Sequence, residues 1–241
     1  MIKFLSPNLF PQDEIISGIT LRTISDKFPF GFSISQAELF TEEEIEANKV
    51  ELAKTLNIKR ESIVFQKQVH SDVVQIAKRN TPIYETDGML TNEQGTFLSL
   101  SLADCCGILA YDRKQKVIGA FHSGWKGTKQ NIVGKGIELM KSEFQSNSED
   151  ILVWITPCAG KEDYEVGADV AQYFPDFIMP LKQDKYLLDL KRAIFTQLIQ
   201  VGINKNNIEI SIESTISDLK FHSFRRDKDK SGRMAAFIGM I

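Results

Sequence analysis

Two of only three histidines in this 241-residue chain, and an adjacent pair among its three cysteines, sit in short polar stretches between apolar ones. The first stretch is Gln68-Val69-His70-Ser71-Asp72, with the imidazole between Val69 and the pair Val73-Val74. The second, Ala103-Asp104-Cys105-Cys106-Gly107, follows one strand-like run and precedes another. The third, Ala120-Phe121-His122-Ser123-Gly124-Trp125-Lys126-Gly127, carries a strand-like run into a glycine-flanked turn. All three read as strand ends, where a scaffold can present side chains into a cleft. His70, Cys105 and His122 together make a His₂Cys set. Zn²⁺ prefers imidazole and thiolate, and three protein ligands with one place open mark a catalytic rather than a structural site. The same donors also bind copper. The intervals of 35 and 17 residues match no local finger pattern. Residue types alone therefore leave a second reading open, hydrogen-bonded structural histidines beside a buried thiol. His222, in Phe221-His222-Ser223-Phe224, reads as structural or as a gate.

The elements that must position these residues alternate in type. Phe97 to Leu102 has period two and reads as a strand; Gly107 to Tyr111 and Lys116 to Phe121 read as two more, joined by a polar turn. From Thr128 to Phe144, Ile132, Val133, Ile137, Met140 and Phe144 recur on one face of a helix. Ile151 to Ile155 is continuously apolar, as in a strand buried on both faces. Leu188 to Val201 reads as a second amphipathic helix, with Gly202 where a C-terminal cap glycine would stand. Ile208 to Ile212 and Met234 to Ile241 read as strands, and the charged stretch Arg225 to Arg233 as a loop. Interleaved strands and helices predict an α/β (α+β) fold, a single layered domain over 1–241 with a mixed sheet flanked by helices.

Composition narrows the function classes. Twenty-nine Lys+Arg against 32 Asp+Glu leave a net charge of −3, with no bulk drive toward nucleic acid or an anionic membrane. A local basic site stays open. Three cysteines, two of them adjacent, do not make a disulfide framework and point to free thiols in a reducing compartment. No apolar run reaches membrane-spanning length and the N-terminal stretch is too interrupted for an export signal, so a cytoplasmic protein is expected. Cys106 is expected on the face opposite Cys105, and Cys158 along the cleft. Oligomeric state is not legible.

The segments Gln68-Val69-His70-Ser71, Thr86-Asp87-Gly88, Ala103-Asp104-Cys105, His122-Ser123-Gly124-Trp125-Lys126-Gly127, Tyr164-Glu165-Val166-Gly167, Phe224-Arg225-Arg226-Asp227 and Ser231-Gly232-Arg233-Met234-Ala235 resemble, in order, the YfiH-like laccase-domain family. Its members have been labelled polyphenol oxidases and purine nucleoside phosphorylases. The resemblance implies a Zn²⁺ held by His70, Cys105 and His122. It implies phosphorolysis of adenosine, inosine, guanosine or methylthioadenosine, with adenosine deamination as a second activity. The family's glycine-rich stretch near the N-terminus is missing from Asp26 to Phe40, a region that contributes to the substrate pocket in relatives.

For deamination, Asp104 is the nearest carboxylate to shuttle protons, as in other zinc deaminases, although it could instead orient backbone. Phosphorolysis needs cations for a phosphate dianion, and Arg22, Lys126, Arg225, Arg226 and Arg233 are the candidates. The turn before residue 128 could add backbone N–H groups, and Trp125 could stack on the base. Two other enzyme classes fit some of these residues: copper-dependent phenol oxidation, and a cysteine-type amidohydrolase using Cys105 and His122 on cell-wall precursors.

Overall fold

Alternating side chains divide the strands between two stacked sheets. A computed structural model describes residues 2–35, 37–80 and 85–241. Among these, a five-stranded mixed sheet runs in the order β1 (Phe4–Leu5), β2 (Ile15–Thr20), β14 (Met234–Met240), β6 (Phe97–Leu102), β3 (Ile63–Phe65). A six-stranded mixed sheet runs β13 (Ile208–Ile210), β9 (Ile151–Ile155), β7 (Cys106–Asp112), β8 (Val117–Ser123), β5 (Gly88–Thr91), β4 (Val74–Ile76). Leu98, Leu100 and Leu102 of β6 and Met234, Ala236 and Ile238 of β14 meet Leu109, Tyr111, Ile118, Ala120 and Trp154 of the second sheet in one buried core. The layered α/β arrangement is as expected, with the sheet split into two layers.

The other face of each sheet is covered by helices. Helix α1 (Glu42–Thr55) lays Leu52 and Ala53 on Phe97, Ala235 and Phe237 of the first sheet. On the far side, α3 (Ile132–Phe144) and α5 (Leu190–Gln200) bring Val133, Ile137, Met140, Ile194 and Leu198 against Ile108, Ala110, Phe121 and Val153. A small antiparallel sheet of β10 (Glu165–Gly167), β12 (Lys185–Leu188) and β11 (Ile178–Pro180), with the short α4 (Ala168–Ala171), packs on this helical side. Among the described residues, no helix is long and apolar enough to cross a membrane.

The structure corrects several sequence boundaries. The periodic run from Thr128 to Phe144 is two helices, α2 (Trp125–Lys129) and α3, because Asn131 takes a left-handed conformation, φ 58°, and caps Gly134 N–H with its side chain. Leu188 belongs to β12, and Asp189 caps α5 by accepting from Arg192 N–H. The loop expected at Arg225 begins as a one-turn helix, α6 (Phe224–Asp227). Helix α1 gave no strong apolar stripe, but its capping box is in the sequence: Thr41 and Glu44 each bond the other's backbone N–H.

Helix α3 approaches β8 through Gly136, where an added Cβ would overlap the fully buried Phe121 ring. Gly136→Ala gains up to about 1 kcal/mol of helix propensity, whereas overpacking a closed core costs about 1–3 kcal/mol. Urea unfolding of this variant is expected to show a net loss of stability; an unchanged or higher midpoint would mean that α3 is free to shift away from the sheet.

Candidate metal centre

Three chain segments converge at one end of the stacked sheets. His122, the last residue but one of β8, lies on the face that Ile118 and Ala120 turn toward the first sheet, and it is 3% exposed. Cys105 lies in the tight link between β6 and β7, half-buried against the inter-sheet core, while Cys106 turns to the helical side as expected. His70 is exposed and is not at a strand end: it sits in the loop between β3 and β4, with φ 58°. The Sγ of Cys105 and one ring nitrogen from each histidine all lie within 4.8 Å of one another. The two imidazoles meet edge to face, with centroids 4.9 Å apart.

A buried carboxylate, Asp87, builds this convergence. Its Oδ1 accepts from His122 Nδ1 at 2.7 Å and from His70 N–H at 3.1 Å. Its Oδ2 accepts from Val69 N–H at 3.2 Å and from Ser71 through both N–H (2.6 Å) and Oγ (2.8 Å). The carboxylate accepts, so the proton belongs on His122 Nδ1, which leaves Nε2 as the donor for a metal, the arrangement by which carboxylates orient metal-binding histidines. Asp87 is not among the site residues expected from the sequence, although its motif, Thr86-Asp87-Gly88, is one of those that carry the family resemblance.

The charges of this cluster are mutually dependent. Burial pushes the Asp87 carboxyl up, but the bonds from His122 and Ser71 outweigh it and hold it at about 2. That value is below the ordinary 3.8, so the stabilisation is present above pH 3.8 and is lost as pH falls through about 2. Burial also raises the Cys105 thiol, yet His122 and His70 bring it down to about 6. Burial lowers His122, whereas the Cys105 charge and Asp87 lift it to about 9. Near neutral pH the Cys105 thiolate is thus paired with a protonated His122, and a divalent cation would displace the Nε2 proton on binding; the thiolate and two ring nitrogens are a donor set that fits one.

These groups open on a cavity of about 600 Å³ also lined by Gln68, Asp104, Tyr164, Phe224, Arg225 and Arg233. That volume suits a small-molecule ligand. Arg225 lies over Tyr164, and Arg233 over Phe224, each 5.4 Å from the ring centroid. Arg225 Nη1 donates to Glu165 O, and Arg233 Nη1 to Ser231 O and Gly232 O. Asp104, with φ 80°, accepts from Thr215 Oγ1 at 2.7 Å and from Arg225 N–H at 2.6 Å while also lining the cavity.

Other sequence candidates are not brought to the cavity. Arg22 faces Asp227 at 3.6 Å, and Arg226 is consumed by Asp227 and the carbonyls of Thr215, Ile216 and Phe221. Lys126 is exposed beside Trp125, and Trp125 stacks on Tyr173; neither they nor the start of α2 line the cavity. His222 is structural: buried, bonded through Nε2 to Phe32 O, and lowered by burial to about 4. Cys158 is fully buried against Cys106 on the helical side, away from the cleft expected for it.

Loss of a carboxylate behind a metal-binding histidine lowers metal affinity about 10–100-fold. Asp87→Asn keeps the size but exchanges an acceptor for a donor facing the 69–71 N–H groups, so chelator competition is expected to show weakening of that order. Unchanged affinity would mean that the loop holds His70 and His122 in place without the carboxylate.

Comparison with known proteins agrees with this architecture. A family model described as multi-copper polyphenol oxidoreductase laccase matches residues 30–241. A purine nucleoside phosphorylase of Clostridium acetobutylicum is 33% identical over 221 residues, 88% of this chain and 92% of that protein. The purine nucleoside phosphorylase YlmD of Bacillus subtilis is 31% identical over 250 residues, 94% of this chain and 89% of its own. Among solved structures, the hypothetical protein YfiH of Bacillus licheniformis superposes with a TM-score of 0.88 at 28% identity, covering 94% of this chain and 93% of that one. YlmD of Geobacillus stearothermophilus gives 0.87 at 29%, covering 94% and 92%. With a His₂Cys cluster at the end of stacked sheets and this length of match, the chain belongs to the YfiH-like family whose model is described as multi-copper polyphenol oxidoreductase laccase.

Proposed function

We propose that this protein is a zinc-dependent purine nucleoside phosphorylase that takes adenosine, inosine, guanosine or methylthioadenosine, with adenosine deamination as a second activity. The observation that carries the proposal is the meeting of the His70, Cys105 and His122 donors with Arg225 and Arg233 in one cavity. The relatives named as purine nucleoside phosphorylases support the same reading. The cysteine thiolate and one nitrogen from each histidine would hold the ion, which when bound supplies an electrophile with an open coordination position.

Phosphorolysis breaks the bond from the sugar's anomeric carbon to the base and forms one to a phosphate oxygen. Arg225 and Arg233 hold the attacking dianion: one nitrogen of each is anchored on carbonyls, and the remaining N–H donors have a forked geometry that suits phosphate. Tyr164 and Phe224 beneath them limit the guanidinium positions. Asp104 fixes the Arg225 backbone, and Asp87 keeps the Nδ1 proton of His122 out of the reaction.

A cysteine-nucleophile reading is favoured by one observation, the lowered Cys105 thiol beside a raised His122. Thiol labelling separates the two: in zinc-loaded protein a ligand thiolate is protected and a nucleophile reacts. Copper-dependent phenol oxidation has one three-donor cluster among the described residues to work with, and it requires oxidation that follows copper content.

Elemental analysis is expected to give stoichiometric zinc. Adenosine should yield adenine only when phosphate is present, and inosine with or without it. His122→Ala should lose metal and lower both rates about 100-fold or more, since even a supporting residue behind a ligand is worth up to that much. Full turnover by metal-free protein would overturn the proposal.

A further inference from the structure

The wall of the main cavity contains an amide with nothing to bond. Gln66, just after β3, borders the 600 Å³ cavity and a second one of about 370 Å³, which also share Ser35 and Ser101. Its Oε1 and Nε2 are both shielded from solvent and have no partner among the described residues. Ser99 Oγ is in the same state: the residue is 2% exposed, borders the second cavity, and its hydroxyl is unpaired. Buried side-chain amides and hydroxyls nearly always have partners, and groups that lack them at a cavity wall take a water or a ligand. Gln68, two residues on, shows the contrast. Its amide accepts from Ser101 N–H at 2.7 Å and donates to Ser101 O at 3.0 Å, so it serves as strand pairing and leaves Gln66 free of that task.

We propose that Gln66 is the residue that reads the nucleobase: turned from its shielded position into the cavity, its carboxamide makes a two-point pair with the six-membered-ring edge of the purine, with the Ser99 hydroxyl on the side of the second cavity. The inference rests on the purine nucleoside reading of the metal-centre cavity. A carboxamide presents an acceptor and a donor side by side; glutamine uses the pair on the N6/N7 edge of adenine in DNA, and on a free base the same pair fits the N6/N1 edge. On adenine the partners are N6–H and N1; on hypoxanthine and guanine they are O6 and N1–H, reached when the amide turns over. One residue thus accepts both 6-amino and 6-oxo purines, and discrimination against pyrimidines comes from the position of the edge. A carboxylate at the same place accepts only. It matches the two adjacent donors of guanine, N1–H and N2–H, and opposes O6 of hypoxanthine.

The test is calorimetric binding of inosine and guanosine to zinc-loaded protein in phosphate-free buffer at pH 8, with unfolding midpoint and metal content measured alongside. Gln66→Leu is expected to weaken both nucleosides roughly 10–100-fold, the range for a lost two-point base contact. Gln66→Glu is expected to raise the guanosine-to-inosine affinity ratio about tenfold. A merely structural role for Gln66 moves both nucleosides equally, so an equal change in Gln66→Glu, or unchanged binding in Gln66→Leu, overturns the proposal. Wild-type protein that binds both nucleosides but releases no base when phosphate is added would overturn the phosphorylase reading and leave the Gln66 assignment standing. Wild-type protein that binds neither nucleoside overturns both.

Discussion

A single buried carboxylate sets the geometry of the site. Asp87 has no access to solvent, and an ionised carboxylate there is tolerable only if its lone pairs are used. They are used by donors from two distant segments, the loop at residues 69–71 and the end of β8. Meeting the electrostatic demand of Asp87 therefore brings His70 to His122. The backbone follows: His70 adopts a left-handed φ that, for a residue other than glycine, needs compensation from its surroundings. Three backbone N–H groups pointed at one charge supply it.

The third donor is held by close packing. Cys105 reaches the histidines because Gly124, just past β8, has no side chain; a Cβ there would stand 2.7 Å from the cysteine sulfur. The register of β7 on β8 fixes the rest, pairing Cys106 with Ser123 and Gly107 with His122. A shift of one residue would reverse which side chains face the neighbouring sheet and would send Cys105 to the helical side. The inter-sheet core thus specifies the fold and the side of the sheet on which the thiol emerges.

The parts of the site legible in the sequence were those that depend on local pattern. A period-two run gave β6 and apolar runs gave β7, β8 and β14 within a residue or two, while three polar stretches between apolar runs gave the His70, Cys105 and His122 cluster, with His70 in a loop instead of at a strand end. The parts that were not legible depend on contacts distant along the chain. The division of strands into two sheets is invisible to periodicity, because a strand facing a second sheet and one facing a helix show the same alternation. The arginines divided for a similar reason: Arg225 and Arg226 are neighbours in sequence, yet a helical turn sends one to the cavity and the other into the carbonyls of residues 215, 216 and 221. The break at Asn131 was hidden because no apolar side chain lies between Trp125 and Ile132 to mark a change of phase, although the side chain that caps α3 was in plain view.

Net charge takes its meaning from this partition. A chain at −3 overall still places two guanidinium groups on aromatic rings at one cavity, and burial lowers the pKa of Arg233, with the Cys105 and Asp104 charges opposing that shift. Surface charges 10 Å or more away are largely screened at ordinary ionic strength. Attraction of a small anion thus depends on these groups and not on the global balance. The donor cluster contributes to the same balance: a thiolate at Cys105 repels a phosphate dianion, and a divalent cation placed on it reverses the sign. Under the proposed function, cation binding and anion binding would be coupled through that sulfur, and the two arginines alone would be an incomplete anion site.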